Sequence, residues 1–301
     1  VIAFTSVTKR FGRQVAVDGL TLAVGAGSIV ALLGPNGSGK TTTIKMAAGL
    51  IRPDEGRVTV GEPGRSTADP AARQLCSFLP QRVAFPDALT GREVVEFHRE
   101  LRGTARARVD EVLKFASLNG ASGRAVATYS GGMVQRLGLA VAMLPQSPIL
   151  LLDEPSAALD PDGLCSFYGL LEGRKRAGAT VFFSSHQIGD VERLADRFAV
   201  LVGGRLVADL SRDDLAARLA DRGVMRVRLR QPSEALLARV REQAPRAVWS
   251  ADELIVPGAA ADRPAILDLV RAAGGEILGL TANEGRLDAL YRELVEQEAH
   301  G

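Results

Sequence analysis

The stretch that most constrains this chain is Gly34-Pro35-Asn36-Gly37-Ser38-Gly39-Lys40-Thr41, a G-x-x-x-x-G-K-T run. An apolar segment, Ile29 to Leu33, precedes it and reads as a buried strand, and Thr42 to Ala48 comes after it and reads as a helix. In that strand–loop–helix context the run is a phosphate loop. Its glycines let the backbone wrap closely round an anion, so that successive N–H groups point inward. The helix N-terminus adds partial positive charge. Lys40 then reaches the β- and γ-phosphates, and Thr41 offers its hydroxyl to Mg²⁺.

Other parts of the chain add to this α/β reading in order. Ile2 to Phe4, Val15 to Val17 and Leu20 to Val24 read as short strands, with Asp18-Gly19 and Gly25-Ala26-Gly27 as turns between them. Phe11 stands in a turn before Gly12; an aromatic there can stack on a purine or simply join the core. Pro53 to Gly56 is a turn before an Arg57–Val60 strand, and Leu75 to Leu79 is a strand that gives way to a loop at Pro80-Gln81. From Pro86 to about Thr128 the apolar spacing is helical, with Val94, Val95, Phe97 and Leu101 and then Val109, Val112, Leu113 and Phe115, and reads as a helical insert.

Tyr129-Ser130-Gly131-Gly132-Met133 opens a further helix, whose N-terminus suits an anion but is, by itself, also an ordinary cap. Ile149 to Leu152 reads as a buried strand that delivers two carboxylates, Asp153 and Glu154, at its end. That arrangement serves a divalent cation and a general base. Thr180 to Ser185 is another buried strand, ending at His186, where open α/β sheets bind ligands. Phe198–Val202 and Arg205–Ala208, joined by Gly203-Gly204, read as a hairpin, and Asp213 to Ala220 as a short helix.

Asp221-Arg222-Gly223 reads as a linker, after which residues 224–301 have the order β-α-β-β-α-β and a last helix from Gly285 to Gln297. This is the split-βαβ, ferredoxin-like order, and it carries no cluster of chemical side chains. The expected domains are therefore 1–221, with a helical subdomain at about 86–140, and an accessory domain at 224–301.

Composition narrows the partners. The 301 residues suffice for one large domain and a small one, and 46% hydrophobic with 24% charged residues is ordinary for a globular protein. A net charge of +2 gives no global sign of a nucleic-acid partner. The best membrane-span candidate, Leu137 to Leu152, is broken by Pro145, Gln146, Ser147 and Pro148, and no basic–apolar leader opens the sequence. Cys76 and Cys165 are too few for a disulfide framework or a zinc site and are expected to be buried small apolar residues.

The order of these motifs resembles that of ABC-type ATPase domains over roughly residues 1–220. The resemblance implies that Phe11 is the adenine-stacking aromatic. It likewise implies that Gln81 is the glutamine that touches Mg²⁺ or the attacking water and lies beside the membrane-subunit contact. By the same resemblance, Tyr129 to Gln135 is the signature segment, with Ser130, Gly131 and Gly132 completing the nucleotide site of a partner subunit. Asp153 is by implication the Mg²⁺-side carboxylate, Glu154 the catalytic base, Ala157 to Asp160 the D-loop and His186 the switch histidine at the γ-phosphate. Thr42 belongs with the phosphate loop.

Met133, Ala158 and Phe11 stand where the family often has Gln, Gly and Tyr; none of the three changes removes a phosphate, metal or proton-transfer group. The implied activity is Mg²⁺-dependent ATP hydrolysis by a homodimer or related heterodimer. Its implied partner is a separate multi-span permease at the cytoplasmic face of the membrane, and no nucleic acid is expected.

The ending Leu287 to Leu294 resembles ATPases that serve ABC-2-type exporters. Phe78–Gln81, Leu89–Glu93, Gly131–Met133 and Arg136–Ala140 also look similar to the ATPase serving nitrous-oxide reductase copper-site maturation. Two rival readings are a soluble ABC ATPase acting on DNA or ribosomes and a non-catalytic nucleotide-binding regulator. A single phosphate loop, no long heptad insertion, and intact Lys40, Asp153, Glu154 and His186 weigh against them.

Overall fold

The computed structural model describes residues 1–157, 159–220, 223–283 and 287–299. Ala158, the expected linker residues Asp221 and Arg222, and the expected helix start Gly285 lie outside the described residues. The chain divides into two compact units, Val1–Asp209 and Leu210–Gln297.

In the first unit, β1 (Ile2–Phe11) and β2 (Gln14–Val24) form a long antiparallel pair. The sequence suggests two short strands broken at Asp18-Gly19, but the structure holds one continuous strand there. Between the pairs Val7↔Leu20 and Lys9↔Val17, β2 carries one residue more than β1, so Asp18-Gly19 forms a bulge and not a turn. Gly19 (φ 61°) supplies the left-handed backbone the bulge needs, and its N–H donates to Thr8 Oγ1 at 3.1 Å.

The chain continues through β3 (Ile29–Leu33), the phosphate loop and α1 (Lys40–Ala47). Next come β4 (Glu55–Val60), β5 (Arg65–Ser66), α2 (Pro70–Gln74) and β6 (Cys76–Leu79). Three helices, α3 (Gly91–Arg102), α4 (Ala107–Phe115) and α5 (Gly131–Met143), pack on one another as the helical insert. Then come β7 (Ile149–Asp153), α6 (Pro161–Arg176), β8 (Thr180–Ser185), α7 (Ile188–Leu194), β9 (Arg197–Val202) and β10 (Arg205–Ser211).

Two sheets result, one ordered β2-β1-β4-β5 and one β10-β9-β3-β8-β7-β6. From β9 to β6 every pairing of the second sheet is parallel. Its central strands β3, β7 and β8 are buried along their whole length, as a sheet covered on both faces requires. Alternate residues Val30, Leu32, Ile149, Leu151, Phe182, Ala199 and Leu201 meet Ile2, Phe4, Val17 and Leu22 of the first sheet and Ile44 and Met46 of α1 in one core. Phe4 and Phe182 pack with ring centroids 6.0 Å apart.

The helical insert begins with a full capping box. Thr90 Oγ1 accepts from the Glu93 N–H, and Glu93 accepts from the Thr90 N–H at 2.7 Å. Val94 and Val95 are buried as the spacing implies, but Phe97 and Leu101 on the same helix are 57% and 67% exposed. Val94, Phe97 and Leu101 lie on one stripe of α3, at i, i+3 and i+7, so the cover over that stripe ends along the length of the helix among the described residues. Cys76 is buried as expected, with burial raising its thiol pKa to about 11. Cys165 is not: it sits on an outer turn of α6 and is exposed.

The second unit starts with α8 (Arg212–Ala220), then β11 (Val224–Leu229), α9 (Glu234–Gln243), β12 (Val248–Ser250), β13 (Glu253–Pro257), α10 (Arg263–Ala272), β14 (Ile277–Asn283) and α11 (Leu287–Ala299). Its sheet runs β12-β13-β11-β14, antiparallel throughout. Met225, Val227, Leu229, Leu254 and Val256 from the strands meet Leu236, Val240, Ile266 and Val270 from α9 and α10 in a core of its own. The element order expected for residues 224–301 is thus the one observed.

Candidate functional site

The carboxyl ends of β3, β7, β8 and β6 converge, and each delivers a polar group. β3 leads into the phosphate loop, whose tight path depends on its glycines. A Cβ on Gly34 would lie 2.3 Å from the Leu201 carbonyl oxygen, and Gly39 (φ 101°) caps α1 in a left-handed conformation. Lys40, first residue of α1, is 5% exposed. Its Nζ donates to the carbonyls of Gly34 at 2.8 Å and Pro35 at 3.1 Å and lies 3.9 Å from Glu154 Oε1. Burial lowers its pKa, while the nearby Glu154 and Asp153 carboxylates pull it back up. Such a buried ammonium, bonded mainly to neutral carbonyls, is primed for an anionic ligand.

Asp153, fully buried at the end of β7, pairs in register with Ser184 on the parallel strand β8. Ser184 Oγ donates to Asp153 Oδ1 at 2.6 Å, and Thr41 Oγ1 donates to the same oxygen at 3.1 Å. Asp153 Oδ2 is buried without a hydrogen-bond partner. A carboxylate oxygen with free lone pairs beside a threonine hydroxyl fits a hard divalent cation. Among the described residues there is no cluster of three or more His, Cys, Asp or Glu side chains that would hold a metal alone. This is the pattern of a cation shared between one carboxylate and a phosphate ligand.

Glu154 comes next with φ 49°, a left-handed backbone that costs a side-chain-bearing residue about 1–3 kcal/mol. Its N–H donates to Ser184 Oγ at 2.9 Å, which holds the turn. Its carboxylate lies between Lys40 and His186, whose Nδ1 is 3.0 Å from Glu154 Oε2. His186 itself is about half exposed at the rim.

Phe11, Asn36, Gly37, Ser38, Gly39, Lys40, Thr41, Thr42, Gln81 and Glu154 line one cavity of about 480 Å³, together with Gln14 and Ala16. The structure therefore brings the expected aromatic, phosphate loop, glutamine and base into one space. Phe11 is exposed at its mouth, with Lys9 Nζ 5.4 Å from the ring centroid. Gly34 and Pro35 contribute their carbonyls to Lys40, and Asp153 lies beneath the floor. Ser130, Gly131, Gly132 and Asp160 do not line this cavity. Ser130 Oγ caps α5 by accepting from the Met133 N–H at 3.3 Å, and Asp160 caps α6 by accepting from the Gly163 N–H at 2.8 Å. Arg136 of α5 lies 3.9 Å from Asp160, so these two segments adjoin each other.

Sequence reasoning passed over two participants. Ser184, read only as part of an apolar strand, holds both Asp153 and Glu154; a hydroxyl pair closing an otherwise apolar run was the available signal. Gln14 faces Phe11 across the two-residue Gly12-Arg13 turn, a placement that emerges once the hairpin register is known.

A lysine folded into a glycine loop and facing two carboxylates from the end of one strand of the same sheet, β7, defines a P-loop nucleoside triphosphatase. Comparison with known proteins narrows this. Residues 17–157 match the ABC transporter family model. Linearmycin resistance ATP-binding protein LnrL of Bacillus subtilis is 31% identical over 245 residues, which are 79% of this chain and 78% of that protein. Daunorubicin resistance ATP-binding protein DrrA3 of Streptomyces coeruleorubidus is 36% identical over 72% of this chain and 70% of its own length. Among solved structures, the dimeric post-hydrolysis state of the ATP-binding cassette MJ0796 bound to ADP and Pi aligns with a TM-score of 0.64 and 26% identity, covering 70% of this chain and 98% of that one. The chain belongs to the ABC transporter ATP-binding family, in its ABC-2 exporter-type class, and is an ATPase.

Proposed function

We propose that this chain works at the cytoplasmic face of a membrane as the motor subunit of an exporter, binding ATP with Mg²⁺ and closing as a dimer against a separate permease. The observation that carries the reading is Glu154, held by a strained backbone between Lys40 and His186 at the wall of the phosphate-loop cavity. Mg²⁺ held through Thr41 and Asp153 would neutralise charge on the β- and γ-phosphates. Lys40 exchanges its bonds to its own loop for the phosphates. Phe11 takes the adenine on its ring face. Glu154 accepts the proton of the attacking water, His186 holds the γ-phosphate in line, and Gln81 senses the γ-phosphate side.

The capped N-terminus of α5, with Ser130, Gly131 and Gly132 away from the chain's own cavity, supports completion of the site by a second subunit. Asp160 belongs to the same dimer-facing group. Among the described residues no helix is long and apolar enough to cross a membrane, and this reading assigns passage of the transported molecule to the separate permease. The exposed Phe97 and Leu101, on the helix that comes after Gln81 in the chain, supply an apolar surface for that permease. Residues 224–301 act as an accessory ferredoxin-like domain that tunes dimerisation or docking, since the cavity draws nothing from them.

Cargo is selected by the permease. The segments that look similar to the copper-maturation ATPase have packing roles. Thr90 and Glu93 cap α3, Gly91 leaves room for the Tyr129 hydroxyl, and Gly138 leaves room for Val83. They support copper-site maturation no more than any other export. Mixing a Ser130→Arg subunit with a Lys40→Ala subunit tests the shared site. Each homodimer is inactive and the verified mixed dimer regains hydrolysis at one site; no recovery would refute assembly in trans.

A further inference from the structure

On the other face of β8 from Ser184 lies a second polar cluster. Successive strand residues point to opposite faces, so Ser184 reaches Asp153 and Glu154 while Ser185 turns the other way. Ser185 Oγ donates to Asp190 Oδ2 at 3.2 Å. Ser156 Oγ donates to the same oxygen, and Tyr168 Oη donates to Oδ1 at 2.5 Å. Asp190 is 2% exposed, on α7, and Ser156 and Ser185 are buried with it. Burial and the bond to Asp190 both raise the Tyr168 pKa, so the phenol stays a donor.

The three donors come from places that matter to hydrolysis. Ser156 is two residues after Glu154, and Ser185 is the residue before His186. Tyr168 is on α6, the helix that Asp160 caps. Ser185 Oγ also accepts from the Gln187 N–H at 2.9 Å, which fixes the backbone on the far side of His186. The segment after β7 and the segment after β8 are therefore tied to one buried carboxylate, and the Glu154–His186 contact bridges the same two segments.

We infer that Asp190 is a positioning residue for hydrolysis: by gathering Ser156, Ser185 and Tyr168 it sets the separation of Glu154 from His186. The inference rests on the ATPase reading and deepens it. Asp190 touches neither nucleotide loop nor cavity, so its loss leaves ATP binding intact and slows the chemical step. Displacements of about 1 Å in a catalytic pair cost on the order of 10²-fold in rate.

The test is a double-mutant cycle on the full chain, with turnover normalised to sites titrated by a fluorescent ATP analogue. Asp190→Asn keeps the shape and removes the charge that gathers the hydroxyls. It is expected to lower kcat by about 10- to 100-fold while the dissociation constant for ATP changes by less than about twofold. In a Glu154→Gln background the same substitution has no further effect on the residual rate, because the group it positions is already gone. A loss of folded protein lowers the number of titrated sites and is removed by the normalisation, so it does not mimic a slower chemical step. Tyr168→Phe and Ser156→Ala, each removing one donor, carry the same cycle at smaller amplitude should Asp190→Asn fail to fold.

An unchanged kcat in Asp190→Asn, or equal loss in both backgrounds, overturns the inference while leaving the site reading intact. A wild-type protein whose hydrolysis is insensitive to Glu154→Gln overturns both.

Discussion

Ser184→Ala should damage this protein far more than a buried Ser-to-Ala change ordinarily does. Ser184 and Asp153 are both 0% exposed. The hydroxyl donates at 2.6 Å to a buried carboxylate and accepts at 2.9 Å from the Glu154 N–H. A hydrogen bond to a charged group contributes about 1.5–3 kcal/mol, and a buried N–H left without a partner costs about 1–3 kcal/mol. Asp153 keeps Thr41 as a donor, so the losses do not add in full, and about 2–4 kcal/mol is expected. For a unit of this size that lowers Tm by about 4–16 °C. The assay is thermal unfolding of the full chain, reading the transition that ATP with Mg²⁺ raises and that therefore belongs to the nucleotide-binding unit. Turnover should fall as well, since the Glu154 backbone loses its anchor. A Tm within about 1 °C of wild type, with unaltered turnover, would refute the argument that Ser184 holds the carboxylate pair.

Other consequences are open to direct measurement. Cys165 should react rapidly with an aromatic disulfide reagent at neutral pH and Cys76 only on unfolding, so two fast thiols would contradict the burial of Cys76. Because the folded Cys76 thiol titrates near 11 against 9.0 for the free group, its contribution is present below pH 9 and lost as pH rises towards 11; Cys76→Ala should flatten that part of the stability profile. Gln81→Ala should reduce transport per ATP hydrolysed in reconstituted vesicles more than it reduces ATP affinity, and an unchanged ratio would exclude a relay role. Truncation after Asp221 should leave ATP affinity unaltered, and a large affinity loss in a folded product would show that residues 224–301 build the site.

The parts of the site that were legible in the sequence are those whose chemistry is carried by one contiguous run. Residues 34–41 specify loop, helix and anion binding together, and Ile149–Glu154 specifies a strand with carboxylates at its end. What escaped depended on register between distant segments. Ser184 matters only because β7 and β8 pair so as to set it beside Asp153. Asp18-Gly19 reads as a turn because local propensity cannot distinguish a turn from a bulge; pairing with β1 decides. Phe97 and Leu101 obey the helical spacing of core residues, yet spacing alone does not say how far along α3 the cover extends. Cys165 shows the same limit, since its exposure depends on which side of α6 meets the sheet.

The central claim is that Glu154 is the base for water attack at a site assembled by Lys40, Thr41 and Asp153. Single-turnover ATP hydrolysis by Glu154→Gln, with ATP–Mg²⁺ binding measured on the same sample, tests it most directly. The substitution keeps the shape between Lys40 and His186 and removes the proton acceptor. The rate is expected to fall by about 10²–10⁴-fold with ATP binding retained, and the ATP-bound dimer should accumulate on size-exclusion chromatography. Near-normal single-turnover hydrolysis, or loss of ATP binding in a folded protein, would contradict the account.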